Sequence, residues 1–170
     1  GMWGAIKPDV VEYGGDLVRE RNGQHILVSS KTECCPELIS STYDGNNSLT
    51  NKDMVGTSFS APRVSHIIAA IQRNLPDYGT LLYKTLLVQS ARWPSVYLGH
   101  SNPLNVIKYI GYGIPDLSRS TGNNDFRITL VHEGTISPKK ADVFNVKIPE
   151  EMRRVGDEYD ILVEVTVSFR

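Results

Sequence analysis

The chain has 170 residues, 40% of them apolar and 22% charged, with a formal net charge of −1. This is the composition of a globular chain, one full domain or two partial ones, and not of a disordered or collagenous one. A balanced charge offers no electrostatic drive towards nucleic acid or anionic lipid, and the longest apolar run, Ile67 to Ile71, is far too short to span a bilayer.

Gly1-Met2-Trp3-Gly4 has neither a basic stretch nor a long apolar one, so no secretory signal is read there. Gly1 reads as an appended residue, with the natural N-terminus expected further upstream. Ala5 to Val11 (AIKPDVV) is short, apolar and β-branched and ends at Gly14-Gly15, which predicts a buried strand. His25 to Ser29 predicts another, entered through the Asn22-Gly23 turn signal. Residues 31–53 show no sustained period and carry turn formers at Pro36, Gly45, Asn46 and Asn47; they predict a long irregular excursion, a kind of loop that often serves function. Cys34 and Cys35 lie within it. A disulfide between sequence neighbours is strained, so both read as free thiols, which favours a reducing, cytoplasmic compartment.

Between Phe59 and Leu75 the residues Val64, Ile67, Ile68, Ile71 and Leu75 recur at helical spacing and predict one amphipathic helix, with Pro62 in its first turn and Pro76-Asp77 beyond its end. Thr80 to Ala91 is apolar nearly all round and predicts a helix buried on more than one side, ended by Trp93-Pro94. A short helix is expected over Asn102 to Tyr109, then a turn-rich closure over Gly111 to Asp116. Residues 118–125 (SRSTGNND) suit a linker. Beyond it, Phe126 to Val131, Val143 to Ile148 and Tyr159 to Phe169 predict strands. In the last, Ile161, Val163, Val165, Val167 and Phe169 form one face and Glu164, Thr166 and Ser168 the other, the pattern of a half-buried antiparallel strand.

One motif carries chemistry: Gly56-Thr57-Ser58-Phe59-Ser60-Ala61-Pro62, directly ahead of the amphipathic helix. A serine there lies beside free backbone N–H groups and the positive end of the helix dipole, where a developing oxyanion is stabilised. The preceding glycine permits a tight bend and close approach of a substrate. The bland reading is that Thr57 or Ser58 only caps the helix. A capping box would need Glu or Gln three residues on, and Ser60 and Ala61 occupy those positions.

GTSFSAP resembles the G-T-S-x-x-A-P signature around the nucleophilic serine of subtilisin-like serine peptidases, the subtilases. Ile6-Lys7-Pro8-Asp9-Val10-Val11 is similar to the K-P-D-V strand before that serine, and Gly111-Tyr112-Gly113 with Asp116 to the G-[YW]-G-x-x-[DN] segment after it. The three occur in family order and cover about residues 3–118. The α/β-hydrolase elbow G-x-S-x-G does not fit, because Ser60 takes its last position. Arg63 stands where many subtilases have His, Ser60 where many have Ala, and Glu12-Tyr13-Gly14-Gly15 replaces the usual A-P-G. The longer path from there to Ser58 marks the cysteine-containing excursion as an insertion.

The resemblance implies that Ser58 is the catalytic nucleophile, with Gly56 and Thr57 bordering bound substrate. It also implies partners that are not visible. Attack on an amide needs a general base and an orienting carboxylate; subtilases supply Asp in D-[ST]-G and His in H-G-T, both upstream of the serine, and neither pattern occurs here. The family's oxyanion-hole asparagine also lies upstream of K-P-D-V. Of four histidines only His25 precedes Ser58, and its context reads as a strand start; His66, His100 and His132 read as surface or packing residues, and Asp9 as structural.

Three weaker signals resolve into turns or sequence coincidence. Ser137-Pro138-Lys139-Lys140 fits S-x-x-K without the helix such a dyad uses; Asp44 to Asn47 lacks the terminal bidentate Glu of a calcium loop; Asn46-Asn47-Ser48 is a formal sequon. No cofactor or metal site is expected. The expected fold is therefore α/β: residues 1–118 as the C-terminal portion of a subtilisin-like catalytic domain, and 119–170 as the start of a β-rich, incomplete antiparallel domain. The implied function is that of a serine endopeptidase acting on protein or peptide substrates, completed by a missing N-terminal part and inactive alone. An incomplete sheet predicts self-association, with no nucleic-acid or membrane partner. The rivals are a pseudopeptidase or peptide-binding module that keeps GTSFSAP as scaffold, and a structural β-domain with an interaction role.

Overall fold

The structure is a computed structural model that describes residues 5–15, 56–150, 156 and 160–169, together with the backbone of four two-residue strands. Those strands are β1 (Val18–Arg19) and β2 (Ile26–Leu27), paired antiparallel with Val18 opposite Leu27, and β3 (Thr42–Tyr43) and β4 (Leu49–Thr50), paired with Thr42 opposite Thr50. β2 falls inside the predicted strand His25 to Ser29. His25, Cys34, Cys35 and the Asp44 to Ser48 stretch lie outside the described residues.

Helix α1 (Thr57–Asn74) carries the predicted amphipathic run but begins two residues before Phe59. Pro62 therefore lies inside the helix, not in its first turn. α2 (Thr80–Ser90) follows, then a single 3-10 turn (Ser95–Tyr97), α3 (Pro103–Ile110) and α4 (Leu117–Thr121). Each of the two short helices is started by a side chain. Asn102 Oδ1 accepts from the Asn105 N–H at 3.2 Å, with Pro103 at the first helical position, and Asp116 Oδ1 accepts from the Arg119 N–H at 2.7 Å.

The core lies where α1 and α2 meet. Ile67 and Ile71 of α1 pack against Leu82, Tyr83, Leu86 and Leu87 of α2, with Val10, Val64, Ile68, Leu75, Leu117 and Val131 at the margins. The α1 members, Val64, Ile67, Ile68, Ile71 and Leu75, are the residues that helical periodicity selects, for the reason that a stripe three and four residues apart shares one face. The buried polar groups among them are paired. The Tyr83 hydroxyl donates to the Leu75 carbonyl at 2.8 Å, and the Ser90 hydroxyl donates to the Leu87 carbonyl and accepts from the Asp116 N–H. Ser90 thereby ties the end of α2 to the start of α4.

The two segments flanking the serine motif in sequence meet each other. The Tyr112 N–H donates to the Asp9 carbonyl at 2.9 Å and the Val11 N–H to the Gly113 carbonyl at 3.0 Å. Arg92 and Ile114 exchange both backbone bonds at 2.9 Å, and the Trp93 indole N–H donates to the Gly111 carbonyl. Residues 5–11 form no strand, yet this bonding makes them the neighbour of the 111–114 closure.

The β-rich expectation for 119–170 is corrected. Among the described residues beyond Ser118 there is no strand, only an isolated bridge between Asn124 and Arg127. Alternation makes a segment able to line a sheet, but the ladder needs a second edge to bond to, and among the described residues these segments pair with none. The alternation still decides which side chains turn inwards. Phe126, Ile128 and Leu130 face solvent while Arg127, Thr129 and Val131 are half-buried. In the last run the sense is opposite to expectation: Val165 and Val167 are 80% and 74% exposed, and Thr166 and Ser168 are turned inwards. Polar anchors explain this, since Glu164 pairs with Arg92 and the Thr166 hydroxyl hydrogen-bonds Gln89. A cleft between α2 and this run is lined by Lys84, Gln89, Arg92, Tyr112, Glu164 and Thr166.

Candidate active site

Ser58 is the second residue of α1 and is exposed. Its hydroxyl makes no hydrogen bond to any described residue, and no side chain caps α1. The helix-capping reading of Thr57 and Ser58 is thus not what the geometry expresses. The hydroxyl that does turn back is Ser60, whose Oγ donates to the Thr57 carbonyl at 3.0 Å. The Ser58 N–H belongs to the first turn, where helical N–H groups lack the acceptor four residues back.

The turn before the serine is set by backbone. Gly56, the residue ahead of α1, has φ 155° and ψ 159°, a combination essentially confined to glycine. Its N–H donates to the Gly14 carbonyl at 2.8 Å. The approach is close enough that a Cβ on Gly14 would lie 2.4 Å from the Gly56 carbonyl oxygen, so glycine is required there by space. Gly14 follows K-P-D-V, and K-P-D-V follows the 111–114 closure through its backbone bonds. The three motifs recognised far apart in sequence are therefore linked by backbone hydrogen bonds, the closure to residues 9–11 and Gly14 to the residue ahead of α1.

Pro62 adds a second local device. The helical donor to the Ser58 carbonyl would be the N–H of residue 62, which proline lacks. The first turn is instead closed by the Phe59 N–H donating to the Gly56 carbonyl at 3.0 Å.

Titratable groups near this frame are paired. Asp9 lies 3.1 Å from Lys84 Nζ and also hydrogen-bonds Lys7. Partial burial pushes the Asp9 carboxyl upward, but the hydrogen bonds and charges of Lys7 and Lys84 outweigh it and hold the group below its ordinary value. Asp116 is held low by the Ser118 hydroxyl and the Arg119 N–H. Asp9 thus acts as an ionic anchor between the 5–11 segment and α2, and no ion pair or hydrogen bond joins it to Ser58.

No described histidine is placed as a base for Ser58. His66 is eight residues further along α1, which at 1.5 Å per residue separates their backbones by about 12 Å along the axis. His100 Nδ1 accepts from the Asn102 N–H at 3.1 Å, and the His132 ring meets the edge of Phe144 at 5.0 Å. Ser58 does not line the cleft beside α2. Among the described residues no group of three or more His, Cys, Asp or Glu could hold a metal ion, and no helix is long and apolar enough to cross a membrane.

Sequence reading missed one feature of the site. Glu12 and Arg63, noted only as departures from the family pattern, approach each other at 3.8 Å, and Arg63 Nη1 donates to the Tyr13 carbonyl at 3.2 Å. The available signal was their opposite charge, each directly beside one of the family motifs.

The subtilase family model matches residues 2–141. An uncharacterized protein, y4bN, of Sinorhizobium fredii (strain NBRC 101917 / NGR234) is 27% identical over 172 residues; the match covers 96% of this chain and 38% of that protein. The chain thus spans well under half the length of this relative. No solved structure matches it. With the family model covering most of the chain, and its three motifs linked in order by backbone hydrogen bonds, the chain belongs to the subtilase family of serine peptidases.

Proposed function

We propose that this chain is the C-terminal part of a subtilisin-like serine endopeptidase catalytic domain, residues 1–118, followed by the start of a second unit from 119. The observation that carries the reading is Ser58: exposed, uncapped, in the first turn of α1 and preceded by a glycine-only turn. Its Oγ attacks the carbonyl carbon of a peptide bond while its proton passes to a histidine contributed from upstream, itself oriented by an upstream aspartate. The Ser58 N–H and the helix dipole stabilise the resulting oxyanion, and Gly56 and Thr57 border the substrate chain. The C–N bond breaks, the amine leaves with the proton, and water then hydrolyses the serine ester to release the acid and restore the hydroxyl.

The isolated chain is inactive under this reading, and its solvent-facing apolar runs favour association between copies. Labelling with a fluorophosphonate probe tests the nucleophile. The full-length polypeptide should react, whereas its Ser58→Ala variant and the 170-residue chain should not; equal labelling of the alanine variant refutes the assignment. One observation favours a second reading, a non-catalytic peptide-binding module: no described histidine is placed to serve Ser58. Absence of labelling in the full-length polypeptide would select it.

A further inference from the structure

Glu12 and Arg63 are two points at which this chain departs from the subtilase pattern, and the fold brings them together. The Glu12 side chain is only 8% exposed, while that of Arg63 is 53% exposed. The carboxylate is therefore nearly removed from water, with the Tyr13 N–H at 2.9 Å and Arg63 Nη1 at 3.8 Å from Oε1. The same Nη1 donates to the Tyr13 carbonyl, and the next carbonyl, that of Gly14, receives the Gly56 N–H. Three successive residues, 12–14, thus face α1 and the residue that precedes it.

Arg63 is five residues beyond Ser58, about 7.5 Å along the helix axis, so it acts on the serine through this turn and not by contact. We propose that Arg63 is a positioning residue: its guanidinium pins Glu12 and Tyr13 so that Gly14 holds Gly56 in its glycine-only conformation, which sets the direction of Ser58. A guanidinium suits the task because its planar head holds a fixed donor on the Tyr13 carbonyl while its charge faces the Glu12 carboxylate, whereas an ammonium is a point charge on a flexible stem. The role for Ser58 rests on the nucleophile reading above; the clamp itself does not.

The test uses the full-length polypeptide and two readouts, amide exchange at Gly56 and the fluorophosphonate reaction resolved into reversible affinity and maximal rate. Arg63→Ala should speed Gly56 exchange and lower the maximal rate about 10- to 100-fold at unchanged affinity, the scale of an ångström-level misplacement. Arg63→Lys should recover part of both. Unchanged Gly56 exchange overturns the clamp, and a rate that falls only with the folded fraction overturns the positioning role. Should Arg63→Ala fail to fold, Glu12→Gln, which leaves the Tyr13 carbonyl contact in place, is read by the same two measurements. Ser58→Ala runs in parallel: if it still reacts, the nucleophile reading fails and the clamp is judged on Gly56 exchange alone.

Discussion

Gly14→Ala isolates the close approach that brings the K-P-D-V segment to the start of α1. Gly14 does not have a positive φ, so alanine can adopt its backbone conformation and only space opposes it. The new Cβ would lie 2.4 Å from the Gly56 carbonyl oxygen and 3.0 Å from its carbon. Backbone cannot swing aside as a side-chain tip can, so the two segments must separate. Overpacking of this kind costs about 1–3 kcal/mol, and loss of the 2.8 Å Gly56 to Gly14 hydrogen bond adds about 1 kcal/mol. For a chain of this size the combined loss of roughly 2–4 kcal/mol lowers Tm by about 4–16 °C. Thermal unfolding followed by circular dichroism at 222 nm measures the shift, and amide exchange at Gly56 localises it. A Tm within about 2 °C of the parent chain, with Gly56 still protected, would refute the contact.

Other outcomes follow from the same packing and charges. Ile71 is fully buried between α1 and α2, so Ile71→Ala should cost about 2–5 kcal/mol in denaturant unfolding at unchanged m-value. Asp9 titrates below its ordinary value of 3.8 in the folded chain, so its stabilisation is complete above that value and is lost as pH falls through the lower folded one. Asp9→Asn should therefore flatten the acid limb of the stability profile below about pH 4; an unchanged limb would count against the Lys7–Asp9–Lys84 cluster. Glu133 Oε2 accepts from the Gly79 N–H at the start of α2, at 2.9 Å. Glu133→Gln keeps the acceptor but removes the charge from the helix N-terminus, costing about 0.3–1 kcal/mol at low salt, a difference that should shrink as ionic strength rises.

Much of the site was legible because its signals are local. The 3.6-residue spacing of Val64, Ile67, Ile71 and Leu75 specifies α1 and its buried stripe without reference to any neighbour. The serine motif and its flanking motifs are short strings whose backbone demands, a glycine-only turn and a close approach, are written in the glycines themselves. Pro62 was misplaced by a turn, since periodicity marks the apolar stripe and not the first helical residue.

What stayed hidden depends on contacts between distant segments. Alternation in Tyr159 to Phe169 says that two faces differ, but which face turns inwards was decided by Arg92 and Gln89 at the end of α2, which capture Glu164 and Thr166 and leave the valines in solvent. The pairing of Glu12 with Arg63 likewise exists only once residues 12–14 meet α1. Sequence alone determined the three longer helices and the family, because each is encoded within a few turns of chain or a short motif; α4, which overlaps the stretch expected to be a linker, was not among them. Tertiary structure alone decided the partners of the charged groups and the orientation of the C-terminal runs, because those are set by which segments meet, and that is a property of the packed chain as a whole.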